Sequence, residues 1–215
     1  MRIIRLIHRW TGLVIGLFFI FSCLSGLIIV FGKIIGSYSP IFKVARQCHT
    51  DLYLGNTGEE IIAIATLLAV VEIITGYILW FQRTIKMGRG LRIKHQNPLI
   101  ALKKNLNFSF PNKLSGFHSA GGFWSGIPLL LMAMTALTWC FGWYSDIVYS
   151  LFESDNTGDW NNNLYHTLHA LHVGSWEDMF SRLLWLVAVA IGISLPVTGL
   201  LLYLHRHHRR KGSSW

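Results

Sequence analysis

His8-Arg9-Trp10-Thr11-Gly12 opens a long apolar run, and 110 residues further on His118-Ser119-Ala120-Gly121-Gly122 opens another. The same shift carries Gly16 onto Gly126, Leu27 onto Leu137 and Phe31-Gly32 onto Phe141-Gly142. A second shift, of 123 residues, carries His49 onto His172, Ala65 onto Ala188, Thr75-Gly76 onto Thr198-Gly199 and Arg83 onto Arg206. Self-similarity of this kind marks a duplicated unit. Here the unit is a helix pair in which each helix carries one matched histidine near its start. The expected fold is an all-α, polytopic membrane protein: a four-transmembrane-helix bundle built from two repeated helix pairs.

Composition agrees. Of 215 residues, 52% are hydrophobic and 13% charged, with a mean hydropathy of +0.43. That is too apolar for a water-soluble domain of this length. Four stretches, at about 10–35, 60–81, 122–144 and 183–204, reach the roughly 20 residues a bilayer requires. The whole chain, 1–215, is therefore read as one membrane domain in contact with lipid.

The net charge of +9 points to nucleic acid only until it is mapped. Fifteen of the 19 Lys and Arg residues precede the first stretch, fill the linker at 82–117 or follow the fourth, and none of the ten acidic residues lies there. Asp146, Glu153, Asp155, Asp159, Glu177 and Asp178 occupy one loop on the other side. This is the positive-inside pattern. It predicts a multi-pass membrane protein with both termini and the basic linker cytoplasmic. Basic residues that flank membrane helices do not form a nucleic-acid face, so no nucleic-acid partner is expected.

The N-terminus has the basic start and apolar core of a signal, and Ile20-Phe21-Ser22-Cys23 is a poor match to a lipoprotein box. The apolar run continues to Ile35, however, and its repeat mate is an internal helix, so a retained helix is expected. Of Cys23, Cys48 and Cys140, only Cys48 faces the oxidising side, which leaves no structural disulfide. Asn156-Thr157-Gly158 and Asn161-Asn162-Asn163 read as turns. Leu99-Ile100-Ala101-Leu102 is expected to dip toward the headgroups.

The matched histidines sit at different depths. His8 and His118 touch their apolar runs, whereas His49 and His172 precede theirs by about a dozen residues, or about 18 Å of helix. Helices two and four are thus expected to run on beyond the outer membrane surface. Up–down topology brings His8 to His118 at one end and His49 to His172 at the other.

Neutral imidazole is a good axial ligand for haem iron. Two matched pairs suggest two bis-histidine haems, and the absence of Cys-x-x-Cys-His means non-covalent haem b. Gly12 and Gly122, one helical turn past their histidines, would leave room for a porphyrin. Ser25-Gly26, Thr75-Gly76, Thr135-Ala136 and Thr198-Gly199 should each approach the other level's haem, or else serve close helix packing. Arg9, Arg83, Arg182 and Arg206 are placed to meet propionates or lipid headgroups. His166 and His169 leave His169 open as an alternative to His172. Glu72, an intramembrane acid, is a functional candidate by default. Trp10, Trp80, Trp139, Trp143 and Trp185 read as an interfacial belt.

Cys48-His49-Thr50-Asp51-Leu52-Tyr53-Leu54-Gly55-Asn56-Thr57-Gly58, with Ile74-Thr75-Gly76-Tyr77-Ile78-Leu79-Trp80, resembles the His-x-x-Leu-x-Leu-Gly-x-x-Gly and Thr-Gly-x-x-x-Trp signatures of the PepSY-associated transmembrane family. His8-Arg9-Trp10-Thr11-Gly12 and Leu171-His172-Val173-Gly174, the latter followed by Arg182-Leu183-Leu184, resemble its other two. The resemblance implies a di-haem b-type protein that carries electrons outward to reduce ferric iron, as siderophore-iron reductases do. Larger relatives hold a PepSY domain between the first two helices, and the loop here, about two dozen residues, is too short for one.

The function expected is transmembrane electron transfer by a ferric or ferric-siderophore reductase. Its donor is a cytoplasmic carrier or quinol, and its acceptor a ferric chelate or siderophore. One alternative is a cytochrome b subunit that exchanges electrons between quinol and a partner redox enzyme. Another is a histidine-dependent transition-metal transporter, which would use His166, His169 and the C-terminal histidines.

Overall fold

The computed structural model describes residues 2–36, 39–152, 160–176 and 178–211. Every element among them is helical: α1 (Arg2–Ile34), α2 (Pro40–Thr50), α3 (Asn56–Ile93), α4 (Leu99–Asn105), α5 (Lys113–Cys140), α6 (Gly142–Phe152), α7 (Trp160–Val173) and α8 (Asp178–Lys211). α1, α3, α5 and α8 contain the four segments long and apolar enough to cross a membrane. They pack as a ring, α1 on α3, α3 on α5, α5 on α8 and α8 on α1. α1 and α5 occupy one diagonal of the bundle, and α3 and α8 the other.

Burial is arranged for a lipid solvent. Ser25, Thr75, Ser125, Thr135 and Thr138 are buried, while Val14, Leu17, Ile127, Leu183 and Val187 are exposed. Lipid is as apolar as leucine, so large aliphatic side chains lose nothing by facing it. Small and hydroxylated residues let the helix backbones approach closely.

The helices are longer than hydropathy predicts. The expected 10–35 begins at Arg2, 60–81 extends over Asn56–Ile93, and 183–204 extends over Asp178–Lys211. Lys and Arg are good helix formers and end the apolar pattern without ending the helix. α3, with 38 residues, is about 57 Å long and absorbs a third of the expected linker. α4 is held by Asn105, which donates to the Trp80 carbonyl at 3.2 Å and to Thr84 at 2.7 Å. The third span, expected at 122–144, starts at Lys113, where Asn112 caps the Ser115 amide, and stops at Cys140. Phe141 adopts an extended conformation there, and α6 restarts the chain.

Helices two and four, expected to extend beyond the outer membrane surface, do not carry His49 and His172 on such an extension. The chain reverses instead, so α2 folds back along α1 and α7 along α5. In the first reversal, Leu52, Tyr53 and Gly55 all have positive φ, and Asp51 Oδ1 accepts from the Tyr53 amide at 2.8 Å. Gly55, at φ 59° and ψ −140°, occupies a region that side chains disfavour. A Cβ on Gly58 would stand 1.6 Å from the Asp51 carbonyl oxygen, so the backbones there are in contact. In the second reversal Gly174 has φ 69°, and Ser181 donates to its carbonyl at 2.7 Å.

The repeat survives in three dimensions. The 123-residue shift carries α2 onto the end of α7 and α3 onto α8. The extra chain of the second half is α6 and the residues between it and α7. Asn161, Asn162 and Asn163, expected as a turn, lie within α7. Asn156, Thr157 and Gly158, with Glu153, Asp155, Asp159 and Glu177 of the acidic loop, lie outside the described residues.

Candidate functional site

Four imidazoles meet in two pairs. His8 on α1 faces His118 on α5 with ring centres 6.3 Å apart, and His49 on α2 faces His172 on α7 at 6.2 Å. Seventeen residues of α1 separate His8 from Ser25, which contacts His49. The two levels are therefore about 25 Å apart along the bundle.

Each ring is clasped in the same way. His8 Nδ1 lies 3.2 Å from Thr75 Oγ1, His49 Nδ1 3.0 Å from Ser25 Oγ, His118 Nδ1 2.9 Å from Thr198 Oγ1, and His172 Nδ1 3.2 Å from Thr135 Oγ1. All four hydroxyls donate their proton to carbonyls three and four residues back in their own helix. The hydroxyl oxygen can then only accept, so Nδ1 must be the protonated nitrogen. Carbonyl oxygens reinforce this: His8 Nδ1 donates to Glu72 O, His49 Nδ1 to Ser22 O and His172 Nδ1 to Met132 O. With Nδ1 engaged in this way on every ring, Nε2 is the nitrogen left to face a metal.

The residue after each hydroxyl is small because the ring edge lies on it. A Cβ at Gly26, Gly76 or Gly199 would meet the Cε1 of His49, His8 or His118 at 3.3, 3.2 and 3.3 Å. Burial pushes the pKa of His49 below its ordinary value, with the Ser22 carbonyl partly opposing, which favours the neutral ring.

Spacing tests what could lie between the rings. Metal–imidazole bonds of about 2 Å, with the depth of the two rings, put ring centres roughly 6 Å apart across one metal ion. Both pairs fit. Among the described residues no three His, Cys, Asp or Glu side chains gather as a metal site. Each pair thus brings two imidazoles to the separation that one metal ion between them would require.

The remaining candidates fall into three groups. His172, and not His169, stands opposite His49. The His169 ring lies against Tyr165 and edge-on to Trp139, while Trp139 also meets His172 at 5.3 Å. The space at Gly12, expected for a porphyrin, is taken by Glu72, whose Oε1 would lie 2.6 Å from a Cβ there. A Cβ at Gly122 would meet only Leu195, at 4.0 Å. Arg9 is exposed, over the rings of Trp10 and Tyr203. Arg83 donates to the Phe110 carbonyl at 3.4 Å. The Arg206 side chain lies outside the described residues. Arg182 lines a cavity of about 90 Å³ with Val30, Val173 and Ser175. His166 lies beside Tyr165, and His207 stacks on Tyr203.

The profile of the PepSY-associated TM region matches residues 32–156, more than half of the chain. The chain belongs to the PepSY-associated transmembrane family. The family match contains His49 and His118, one ring of each pair, and the repeat brings His172 and His8 to them. No curated protein and no solved structure matches the chain.

Sequence reasoning missed Thr11 and the carbonyls of Ser22 and Met132. The spacing of three residues before each hydroxyl was the available signal.

Proposed function

We propose that the protein carries electrons across the bacterial inner membrane by means of two bis-histidine b-type haems. The proposed acceptor is ferric iron, free or siderophore-bound, at the end bearing His49 and His172. The observation that supports this most directly is the pair of facing imidazole couples, 6.3 and 6.2 Å between ring centres, with a serine or threonine hydroxyl at Nδ1 of every ring. His8 and His118 would hold one haem, and His49 and His172 the other. When bound, haem would supply a one-electron couple at each end of the bundle.

The chain's own residues do the rest. The serine and threonine clasps fix ring orientation and tautomer before any metal arrives. The lipid-facing aliphatic surface excludes water from the inner bundle. Cys23, Cys48 and Cys140 form no Cys-x-x-Cys-His, so attachment would be non-covalent. The transporter alternative needs clustered donors, and the described His166 and His207 lie against tyrosine rings instead.

The test is the haem content of purified protein by pyridine haemochrome, with a dithionite-reduced difference spectrum. Two low-spin haems per chain are expected, reoxidised by a membrane-impermeant ferric chelate only from the face opposite the basic linker. A preparation reconstituted with haem that still holds none would overturn the reading. Reoxidation from the basic face alone would reverse the direction.

A further inference from the structure

Three residues before the four clasping hydroxyls stand Ser22, Glu72, Met132 and Leu195. The backbone carbonyl at this position accepts from the hydroxyl in all four cases. The side chains differ, and only Glu72 carries a carboxylate. Its Oε1 lies 3.0 Å from His8 Nδ1, and Thr11 donates to its Oε2. Gly12 supplies the space, since a Cβ there would stand 2.6 Å from Oε1. Thr11 and Gly12 thus form a seat on α1 for an acid from α3. The side chain is 21% exposed, within an otherwise apolar span.

An acid in a membrane helix is costly. His8 does not need it for orientation, because the Glu72 carbonyl and the Thr75 hydroxyl already take its Nδ1 proton. The carboxylate adds electron density instead. An imidazole that donates Nδ1–H to a carboxylate becomes a more basic ligand through Nε2. A stronger donor stabilises the oxidised metal more than the reduced one and so lowers its reduction potential. In the repeat, the same place before Thr198 holds Leu195, which has no such effect.

We infer that Glu72 is a positioning residue that makes the His8–His118 site the lower-potential site of the two. This sets a downhill direction for electrons from the basic end toward His49 and His172. The inference rests on the two-haem reading above. It assigns direction from one side chain, independently of loop charge.

The experiment is potentiometric titration of the full chain in lipid nanodiscs, with haem counted on every sample. Wild type should titrate as two one-electron steps. Glu72→Gln, which keeps the shape and removes the charge, should retain two haems and favour reduction of the lower step at least tenfold, a shift of +59 mV or more. Glu72→Leu, the residue the second repeat tolerates, should shift it the same way. Thr11→Val, which removes the competing donor at Oε2, should shift it oppositely. In His172→Ala, which should keep only the basic-end haem, Glu72→Gln should still shift the single step. In His118→Ala it should shift nothing. Two haems with unchanged midpoints, or a shift confined to the higher step, would overturn this inference and leave the proposed function standing. Failure of wild type to bind haem would overturn both.

Discussion

In the first half of the chain His8 leans on Thr75 beneath a carboxylate, and in the second half His118 leans on Thr198 with Leu195 in the carboxylate's place. The reversals before α3 and α8 differ in a similar way. The Asp51 carbonyl is met by the bare backbone of Gly58, while the equivalent carbonyl of Gly174 accepts from the Ser181 hydroxyl at 2.7 Å. The features that repeat are those that orient an imidazole: the hydroxyl, the small residue after it, and the fold-back of the short helix. The features that differ lie one contact further out, where they set the charge or the stiffness of the same arrangement. The two halves thus share a common way of holding a ring and depart from each other in its surroundings.

The strongest way to break this comparison is to remove a ring. His8→Ala or His118→Ala should halve the haem content by emptying the basic-end site alone, and His49→Ala or His172→Ala should empty the other. The sites share no ligand, so the losses should be independent. His169→Ala should keep both haems. Loss of one there, with both retained in His172→Ala, would reassign the ligand.

The reversals give the next largest effect. Gly58→Ala puts a Cβ where the Asp51 carbonyl stands, and α2 must move with it. The variant should lose the haem of His49 and His172 and keep the other, as resolved by haem count in the His8→Ala background. Ser181→Ala removes one hydrogen bond worth about 1 kcal/mol and should lower the unfolding midpoint while both haems stay. Equal haem loss in the two variants would show that the reversals are sealed alike.

The clasps should differ by degree. Thr198→Val removes the hydroxyl beside His118 Nδ1 and should weaken haem at the basic end by roughly 10–100-fold, measured as transfer to a haem scavenger. Thr75→Val should cost less, because His8 keeps the Glu72 carboxylate, in whose place the second repeat has Leu195. The reverse order would contradict the loading described for Glu72. Smallest of all should be Gly199→Ala. His118 Cε1 would then lie 3.3 Å from the new methyl, yet the fourth clasp already carries Ala136 beside its hydroxyl. Both haems should remain, with a shifted Soret band as the only trace. Haem loss would show that the fourth clasp is built on different terms.

Four spans and two histidine pairs were legible because both rest on periodicity. Apolar runs of bilayer length and a self-superposing chain specify a bundle whose equivalent residues meet near its axis. The choice between His169 and His172 followed from the repeat for the same reason. The reversals at Asp51–Gly55 and at Gly174 were not legible. Hydropathy is silent about polar segments, and the signal lay in backbone conformation at Leu52, Tyr53 and Gly55. The partner of Glu72 was also hidden, because Thr11 and Gly12 approach it only after α1 and α3 pack. Most helix ends ran past the apolar run, since an arginine such as Arg83 closes an apolar window while the helix continues to Ile93, whereas the third span stops at Cys140, short of the expected 144.

The placement of α1 and α5 on one diagonal has a consequence for symmetry. The two repeats are related by a pseudo-twofold axis that runs down the bundle, and each histidine pair straddles it. A site on such an axis belongs to neither repeat. Either helix pair alone presents two half-sites and completes none. A mutation in one copy is therefore felt at a centre that the other copy shares, and the two copies can diverge only where they do not meet across the dyad.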